Sequence, residues 1–304
     1  MRLNKINTNL HAYNKHFVFI KDLFFSKNLP NSILFSGEKG VGKKTFLLHF
    51  LNFIQINSQE QKNYLNSYTL ESSEVINKIA NNELSNIRIV KKLDKSQNIS
   101  IDQIRDIINF CSYSALEERP KFICIFNVED LNVNASNSLL KILEQPPANT
   151  YFFLTRNSNE ILSSTILSRC FKMNLKMSET EKNSVFKEIL HDFDLHDFNN
   201  FDIFNRFDTQ GSKINRIQYI VDNSLINSSP IDIIFYCLND FKKNKDRNSL
   251  IFATEFAKNI FYNKSSLPNK KIFQLYEKFT KTINEILKFN ADVVSAINII
   301  KKVA

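Results

Sequence analysis

The sequence predicts an α/β domain with a parallel sheet, followed by an all-helical second half. Short apolar strands alternate with helices up to about residue 175, which is typical of a parallel sheet covered on both faces. A glycine-rich turn at residues 37–45 stands between a strand and a helix. Beyond residue 175 the strand signals fade and long helical periodicities replace them.

The composition fits this organisation. The 304 residues, 43% of them hydrophobic, are enough for two or three packed domains and exclude wholesale disorder. Lys and Arg exceed Asp and Glu by 40 to 31, giving a formal charge of +9. An excess of this kind favours an anionic partner, nucleic acid first, although many basic proteins bind none.

The spacing of the cysteines bears on metal binding, and the N-terminus bears on the cellular location of the protein. No two of the four cysteines lie close enough for a CxxC pair, so we expect no zinc site. They are Cys111, Cys124, Cys170 and Cys237. Isolated thiols fit a reducing compartment. The N-terminus has no signal-peptide apolar run, and no run reaches the roughly 18 residues of a membrane helix. We expect a cytoplasmic protein with no membrane partner.

The strands and helices of the first domain follow from local patterns. Short, mainly apolar segments predict strands at residues 32–36, 87–90 and 151–155, and a continuous apolar, β-prone run predicts one at 122–126. Apolar residues three and four apart predict helices around residues 17–24, 101–108 and 134–144, and another from residue 46. Residues 55–86 are polar and predicted to be exposed. Ser100 is a candidate N-cap, with Gln103 one residue too early for a capping box.

The strongest motif runs from Gly37 to Thr45, after a strand and before a helix. Three of the four glycines of the chain, Gly37, Gly40 and Gly42, lie within these positions. Glycines let the backbone wrap a phosphate so that N–H groups face its oxygens, and the helix N-terminus adds positive potential. Lys43 would reach the terminal phosphates. The motif predicts a phosphate-binding loop.

The loop departs from the usual pattern at one position. The residue after Lys43 should be Ser or Thr, whose hydroxyl binds Mg²⁺, but it is Lys44. Thr45 comes one residue late, and on a helix one residue turns a side chain by about 100°. A cation at this position also opposes metal binding.

A second departure concerns the acidic pair that should follow the strand at residues 122–126. The first acid would hold Mg²⁺ and the second would polarise the attacking water. The chain instead has Asn127 and Val128, with Glu129 and Asp130 further on. These two acids could act after a local rearrangement, and that alternative stays open.

Three stretches together resemble the clamp-loader branch of the AAA+ family, in particular its delta-prime type. They are LPNSILFSGEKGVGKKT, KFICIFNVEDLNVNASNSLLKILEQPPANTYFFL and SSTILSRC. The resemblance covers about residues 29–171. It implies an AAA+ P-loop domain at residues 1–176, a helical lid at 177–224 and a helical collar for oligomerisation at 225–304.

The resemblance also implies roles for individual residues. Arg169, within the motif Ser168-Arg169-Cys170, would enter the ATP site of a neighbouring subunit as an arginine finger. A guanidinium suits this because it contacts two phosphate oxygens and stays charged. Without the resemblance, an Arg that caps a helix or pairs with a carboxylate would be the simpler interpretation. The lid arginine that senses nucleotide should lie within residues 211–216, where Asn215 takes its position beside Arg216.

The expected function is that of a delta-prime subunit of the bacterial DNA polymerase III clamp loader, which loads the sliding clamp on primed DNA. The resemblance implies gamma/tau and delta subunits as partners, and no intrinsic ATPase activity. No cofactor is required, although ATP could occupy the degenerate loop at Gly37, Gly40, Gly42, Lys43 and Thr45. An active ATPase of the gamma/tau type is the alternative, and a nucleotide-binding switch is a third.

Overall fold

The computed structural model divides the chain into two compact units, residues 1–195 and 196–304. It describes residues 8–70, 73–93, 96–112, 119–192, 195, 204, 208–263, 270–289 and 292–302. The predicted division into three domains, with boundaries after residues 176 and 224, stays a prediction. Parts of the predicted lid, at residues 193–194, 196–203 and 205–207, lie outside the described residues.

A five-stranded parallel sheet forms the centre of the first unit. Its strands are β1 (Ser32–Gly37), β2 (Ile87–Val90), β3 (Lys121–Ile125), β4 (Thr150–Asn157) and β5 (Phe171–Asn174). Their order is β2-β3-β4-β1-β5, and every neighbouring pair is parallel. The four predicted strands are therefore confirmed, and the parallel α/β fold with them.

Helices cover both faces of this sheet. They are α1 (Asn14–Phe25), α2 (Lys43–Phe53), α3 (Ser58–Ser67), α4 (Ser73–Ala80), α5 (Ile101–Ser112), α6 (Val133–Glu144), α7 (Ser164–Leu167) and α8 (Glu179–Asp192). Successive strand residues point to opposite faces. Phe35 accordingly packs with α1 and α2, while Leu34 packs with α5 and α6 in a second apolar cluster. The sheet is thus buried from both sides.

Three local features differ from the sequence interpretation. Ser100 and Gln103 do form a capping box: the Gln103 N–H donates to Ser100 Oγ at 3.4 Å, and the Ser100 N–H donates to Gln103 Oε1 at 3.1 Å. The statement that Gln103 is one residue too early is therefore wrong. Residues 55–86 contain α3 and α4, and Tyr64 of α3 is buried against His49, 2.8 Å from its Nδ1. Strand β5 was not predicted.

The second unit is helical in the part that the structure describes. Its helices are α9 (Gln210–Asp222), α10 (Pro230–Asn244), α11 (Arg247–Asn263), α12 (Lys270–Phe289) and α13 (Val294–Ile300). Ser229 caps α10 by accepting the Asp232 N–H, and Pro230 occupies the first turn, where no N–H is needed. Apolar side chains such as Phe256 and Phe279 are fully buried. No helix in the described ranges is long and apolar enough to cross a membrane.

Candidate functional site

The carboxyl ends of the central strands meet at one edge of the sheet, where ligands bind in open α/β folds. Strand β1 ends at Gly37 and leads through the loop into α2. Strand β3 leads into the turn at Asn127, and β4, between them, ends at Asn157. The predicted phosphate loop and the degenerate acidic stretch therefore lie at the same edge.

The loop needs its glycines for measurable reasons. Gly40 and Gly42 have φ angles of 83° and 99°, in the left-handed region that side chains disfavour. A Cβ atom on Gly37 would lie 2.5 Å from the carbonyl oxygen of Leu175, closer than any real contact. The strand–loop–helix context predicted for a phosphate loop is confirmed, while nucleotide binding there stays a prediction.

Tyr13 supports the loop from the N-terminal segment. Its hydroxyl donates a hydrogen bond of 3.0 Å to the carbonyl oxygen of Val41, and its ring packs edge-on against Phe46 of α2. Burial, reinforced by Glu181 and Glu38, raises the pKa of this hydroxyl. Tyr13 thus stays a donor, and nothing local in the sequence marked it as part of the site.

Lys43 turns back onto the loop. Its Nζ donates to the carbonyl oxygens of Gly37 and Glu38, both at 2.7 Å, and only 7% of the residue is exposed. Loss of water around the ammonium lowers its pKa to about 8, against an opposing effect of Glu129. The residue predicted to reach the phosphates is therefore already at the centre of the loop.

Lys44 extends toward the end of β3. Its Nζ lies 5.3 Å from the centre of the Phe126 ring, within the range of a cation–π contact. Lys44 as a whole residue is exposed, and the pKa of its ammonium is nevertheless lowered, first by loss of water and next by repulsion from Lys91. Thr45 follows on α2 and is half-buried.

The stretch after β3 departs from the geometry of an acidic pair. Asn127 has a positive φ of 55°, its N–H donates to Thr155 Oγ1 at 2.9 Å, and its amide donates to Asp130 Oδ2 at 3.4 Å. Val128 is 1% exposed and belongs to the core beneath. Neither residue offers a carboxylate to the edge of the sheet.

Glu129 is the acid that the turn brings back to this edge. Its Oε1 accepts the N–H of Asn157 at 2.9 Å, at the end of β4. Its Oε2 is buried and accepts no hydrogen bond from any residue that the structure describes. The acid that a sequence count places beyond the strand therefore occupies the carboxyl edge, and it acts electrostatically on Lys43.

These side chains do not form a magnesium site of the usual kind. An ammonium stands where a hydroxyl ligand is needed, an amide replaces the first carboxylate, and an apolar side chain replaces the second. Magnesium prefers oxygen ligands in strict octahedral geometry, and a fixed ammonium repels it. Within the described ranges no cluster of three His, Cys, Asp or Glu side chains could hold a metal ion.

Arg169 lies at the opposite end of the strands, near the amino end of β5. In the β5–β1 pairing Phe171 stands opposite Ile33, four residues before Gly37, and Arg169 precedes Phe171. At about 3.3 Å per residue the loop begins more than about 13 Å further along β1. The structure therefore does not bring Arg169 together with the phosphate loop of its own chain.

The guanidinium of Arg169 is bound within its own chain. Its Nε donates to Glu144 Oε1 at 3.0 Å, its Nη2 contacts the same oxygen, and its Nη1 donates to Thr165 O at 2.9 Å. Ser168 Oγ also donates to Thr165 O, at 3.0 Å. Burial raises the pKa of the Cys170 thiol to about 11, so it is an apolar packing group rather than a thiolate.

Arg216 of the predicted lid is also committed to its own unit. It is 2% exposed, forms two hydrogen bonds with the Asp208 carboxylate, and donates to Ser212 and Glu255. Asn215, the residue placed at the sensor position, is exposed. Arg216 therefore serves as a buried structural cation of the second unit.

The parallel sheet with a glycine loop at its carboxyl edge, helices on both faces and a mainly helical C-terminal part defines a P-loop protein of the AAA+ type. The family model described as "DNA polymerase III, delta subunit" matches residues 14–179, more than half of the chain. The chain belongs to this family, and its relatives include proteins named DNA polymerase III subunit delta′.

Individual relatives match over shorter stretches. The DNA polymerase III subunit delta′ of Haemophilus influenzae is 39% identical over 85 residues, 28% of this chain and 26% of that protein. The delta′ of Buchnera aphidicola subsp. Baizongia pistaciae is 36% identical over 92 residues, 30% of this chain and 27% of that protein. The tau subunit of Salmonella typhimurium is 29% identical over 154 residues, which are 51% of this chain and 23% of that protein. The matches span about a quarter of these relatives' lengths.

A solved structure resembles the chain over nearly its whole length. It is the DNA polymerase III gamma subunit-related protein of Thermotoga maritima, with a TM-score of 0.54, 16% sequence identity, and coverage of 94% of this chain and 98% of that one. At this identity the likeness establishes the AAA+ fold and nothing about activity.

Proposed function

We propose that this chain is the non-hydrolysing member of a DNA polymerase III clamp loader and supplies Arg169 to the ATP site of a neighbouring gamma/tau subunit. The observation that carries the proposal is the position of Arg169. It lies at the opposite edge of the sheet from its own loop, so it can assist phosphate chemistry only in another molecule. A fixed guanidinium stabilises charge on a transferred phosphoryl group.

The cleft of the chain itself fits a subunit that does not hydrolyse ATP. Asn127 and Val128 replace the acids that hold Mg²⁺ and polarise water, and Arg216 is held inside the second unit by Asp208 and Glu255. Within the complex, we infer that the chain assembles with gamma/tau and delta subunits, and that the assembly places the sliding clamp on primed DNA. The charge of +9 favours a place beside nucleic-acid phosphates.

Reconstitution with gamma/tau and delta subunits tests the finger. Arg169→Ala should leave assembly intact and lower the DNA-stimulated ATPase by the share of the one site that loses its finger. Arg105→Ala is the matched control, since Arg105 pairs with Asp102 on the exposed face of α5. Unchanged stimulated turnover with Arg169→Ala would remove the assignment.

An active ATPase is the second candidate, and the free oxygen of Glu129 favours it. Glu129 Oε2 is buried at the carboxyl edge with no donor among the described residues, which is where a general base would stand. The isolated chain would then hydrolyse ATP above about 1 s⁻¹, and Glu129→Gln would abolish the turnover. Absence of turnover in the isolated chain supports the first candidate.

We also propose that residues 177–224 act as the lid and residues 225–304 as the collar that joins the subunits. The helices within 225–304 bury apolar side chains against one another, which suits an assembly element. Removal of residues 225–304 should abolish co-purification with gamma/tau and delta while α1–α7 and the sheet remain folded by circular dichroism.

A further inference from the structure

In this chain a lysine side chain, that of Lys44, supplies positive charge near the usual position of the metal ion. Lys44 follows Lys43 in the first turn of α2, and its ammonium lies 5.3 Å from the centre of the Phe126 ring, directly after β3. In a P-loop protein the cation stands between the first turn of this helix and the end of this strand. Lys44 therefore spans the two elements that would otherwise share Mg²⁺.

The surrounding charges fit an anion better than a divalent cation. Lys44 experiences repulsion from Lys91 and Lys39, and attraction from Asp130 and Glu129. Lys43 lies at the centre of the loop with its ammonium on the Gly37 and Glu38 carbonyls. Four ammonium groups thus act at this edge together with three carboxylates, those of Glu38, Glu129 and Asp130. An added metal ion would increase the repulsion, and a phosphate anion would relieve it.

The backbone supplies the remaining donors. The first N–H groups of a helix have no intrahelical acceptor, and α2 begins at Lys43 directly after the left-handed Gly42. The loop around Gly40 follows the same left-handed path. The loop thus combines the N–H groups of the first turn of α2 with the Lys43 ammonium, and Lys44 adds a second ammonium toward the end of β3. This set of donors suits a polyphosphate.

We propose that the cleft binds the polyphosphate of a nucleoside di- or triphosphate without a divalent cation, with the Lys44 ammonium in place of the metal. The ligand is held and not hydrolysed, because neither Asn127 nor Val128 can activate water. This inference does not depend on Arg169, which lies at the other edge of the sheet, so either proposal can fail without the other.

The proposal of metal-free binding is tested by equilibrium binding of fluorescently labelled ADP to the full chain. The measurement is made once with EDTA and once with Mg²⁺. The wild-type dissociation constant should agree within about two-fold between the two conditions. Lys44→Thr, which restores a hydroxyl at this position, should weaken binding in EDTA by at least about ten-fold, as expected for loss of one charge-assisted hydrogen bond. Lys92→Thr removes the same charge from an exposed loop residue and should change binding less than two-fold.

Two outcomes would overturn the proposal. One is a wild-type chain that binds labelled ADP at least about ten-fold more tightly with Mg²⁺ than with EDTA, or that shows no binding in either condition. The other is equal binding by the wild type and Lys44→Thr in EDTA, which would deny Lys44 a role. Circular dichroism of each variant, together with pyrophosphate competition on the wild type, separates loss of folding from loss of the phosphate contact.

Discussion

The guanidinium of Arg169 and the carboxylate of Glu144 form an ion pair that joins the start of β5 to the end of α6. Nε lies 3.0 Å from Oε1, and Nη2 contacts the same oxygen. Helix α6 starts directly after the turn that holds Glu129, at the carboxyl edge of the sheet, and runs back to the opposite edge. The group proposed to act on a neighbouring subunit is therefore held by a carboxylate of its own chain.

Glu144→Gln should release Arg169. The amide keeps the shape of the carboxylate and removes its charge, and a partly exposed pair contributes up to about 1 kcal/mol. We expect phenylglyoxal to modify Arg169 about two- to five-fold faster in the variant, measured by peptide mapping of the isolated chain. Exposed Arg105 should react rapidly and buried Arg216 slowly in both proteins. Equal rates at Arg169 would mean that Glu144 does not hold it.

Gly37→Ala should destabilise the first unit. The new methyl would lie 2.5 Å from the backbone oxygen of Leu175 and 3.0 Å from a Val41 methyl, and a backbone atom cannot move aside cheaply. Overpacking of this kind costs about 1–3 kcal/mol, measured as a lower midpoint of urea unfolding. Gly211→Ala is the control: it places the same methyl in α9, where Ala is the better helix former. A Gly37→Ala midpoint equal to that of the wild type would show that the loop tolerates a side chain.

Arg216→Ala should destabilise the second unit. The substitution removes the guanidinium that pairs with the Asp208 carboxylate, which is only 8% exposed. Breaking a buried pair by removing one partner costs about 3–5 kcal/mol. Urea unfolding followed by circular dichroism measures the loss. Asn215→Ala changes the neighbouring exposed residue and should shift stability by less than about 0.5 kcal/mol. A small effect of Arg216→Ala would show that its pairing with Asp208 is not needed for stability.

The sequence predicted the elements whose signals are local. Strands β1 to β4 contain short, mainly apolar segments, and the loop between β1 and α2 carries its glycines in order. Strand β5 was missed because three of its four residues are exposed at the sheet edge, so it shows no apolar run. Its backbone pairing with β1, which the sequence does not reveal, makes it a strand.

Only those parts of the site that lie in consecutive residues were predictable from the sequence. The phosphate loop and its departures could be identified from consecutive residues. The contacts of Glu129 with Asn157, Tyr13 with Val41, and Glu144 with Arg169 join residues 25 to 28 positions apart, so they depend on the tertiary fold. A one-residue change in the turn after Asn127 would point Glu129 elsewhere. No pattern in a single sequence fixes such a turn.

Nucleotide binding should weaken as the pH rises through about 8. Loss of water lowers the pKa of Lys43 from its usual value to about 8, and the pKa of Lys44 is lowered as well. A phosphate beside Lys43 favours its charged form and so raises this pKa in the complex. Below pH 8 both the free and bound states carry the proton, and affinity is constant. Above pH 8 binding must take up a proton, and affinity falls by up to about ten-fold per pH unit.

Labelled ADP titrated in EDTA at pH 6.5, 7.5, 8.5 and 9.5, at constant ionic strength, measures this profile. Lys43→Met should bind weakly and lose most of the pH dependence, because the variant has no ammonium to deprotonate at this position. Lys92→Thr should retain the wild-type profile, since Lys92 lies on an exposed loop. Wild-type affinity that stays flat to pH 9.5 would mean that the phosphate does not depend on the Lys43 ammonium, and a rise with pH would contradict the sign of the argument.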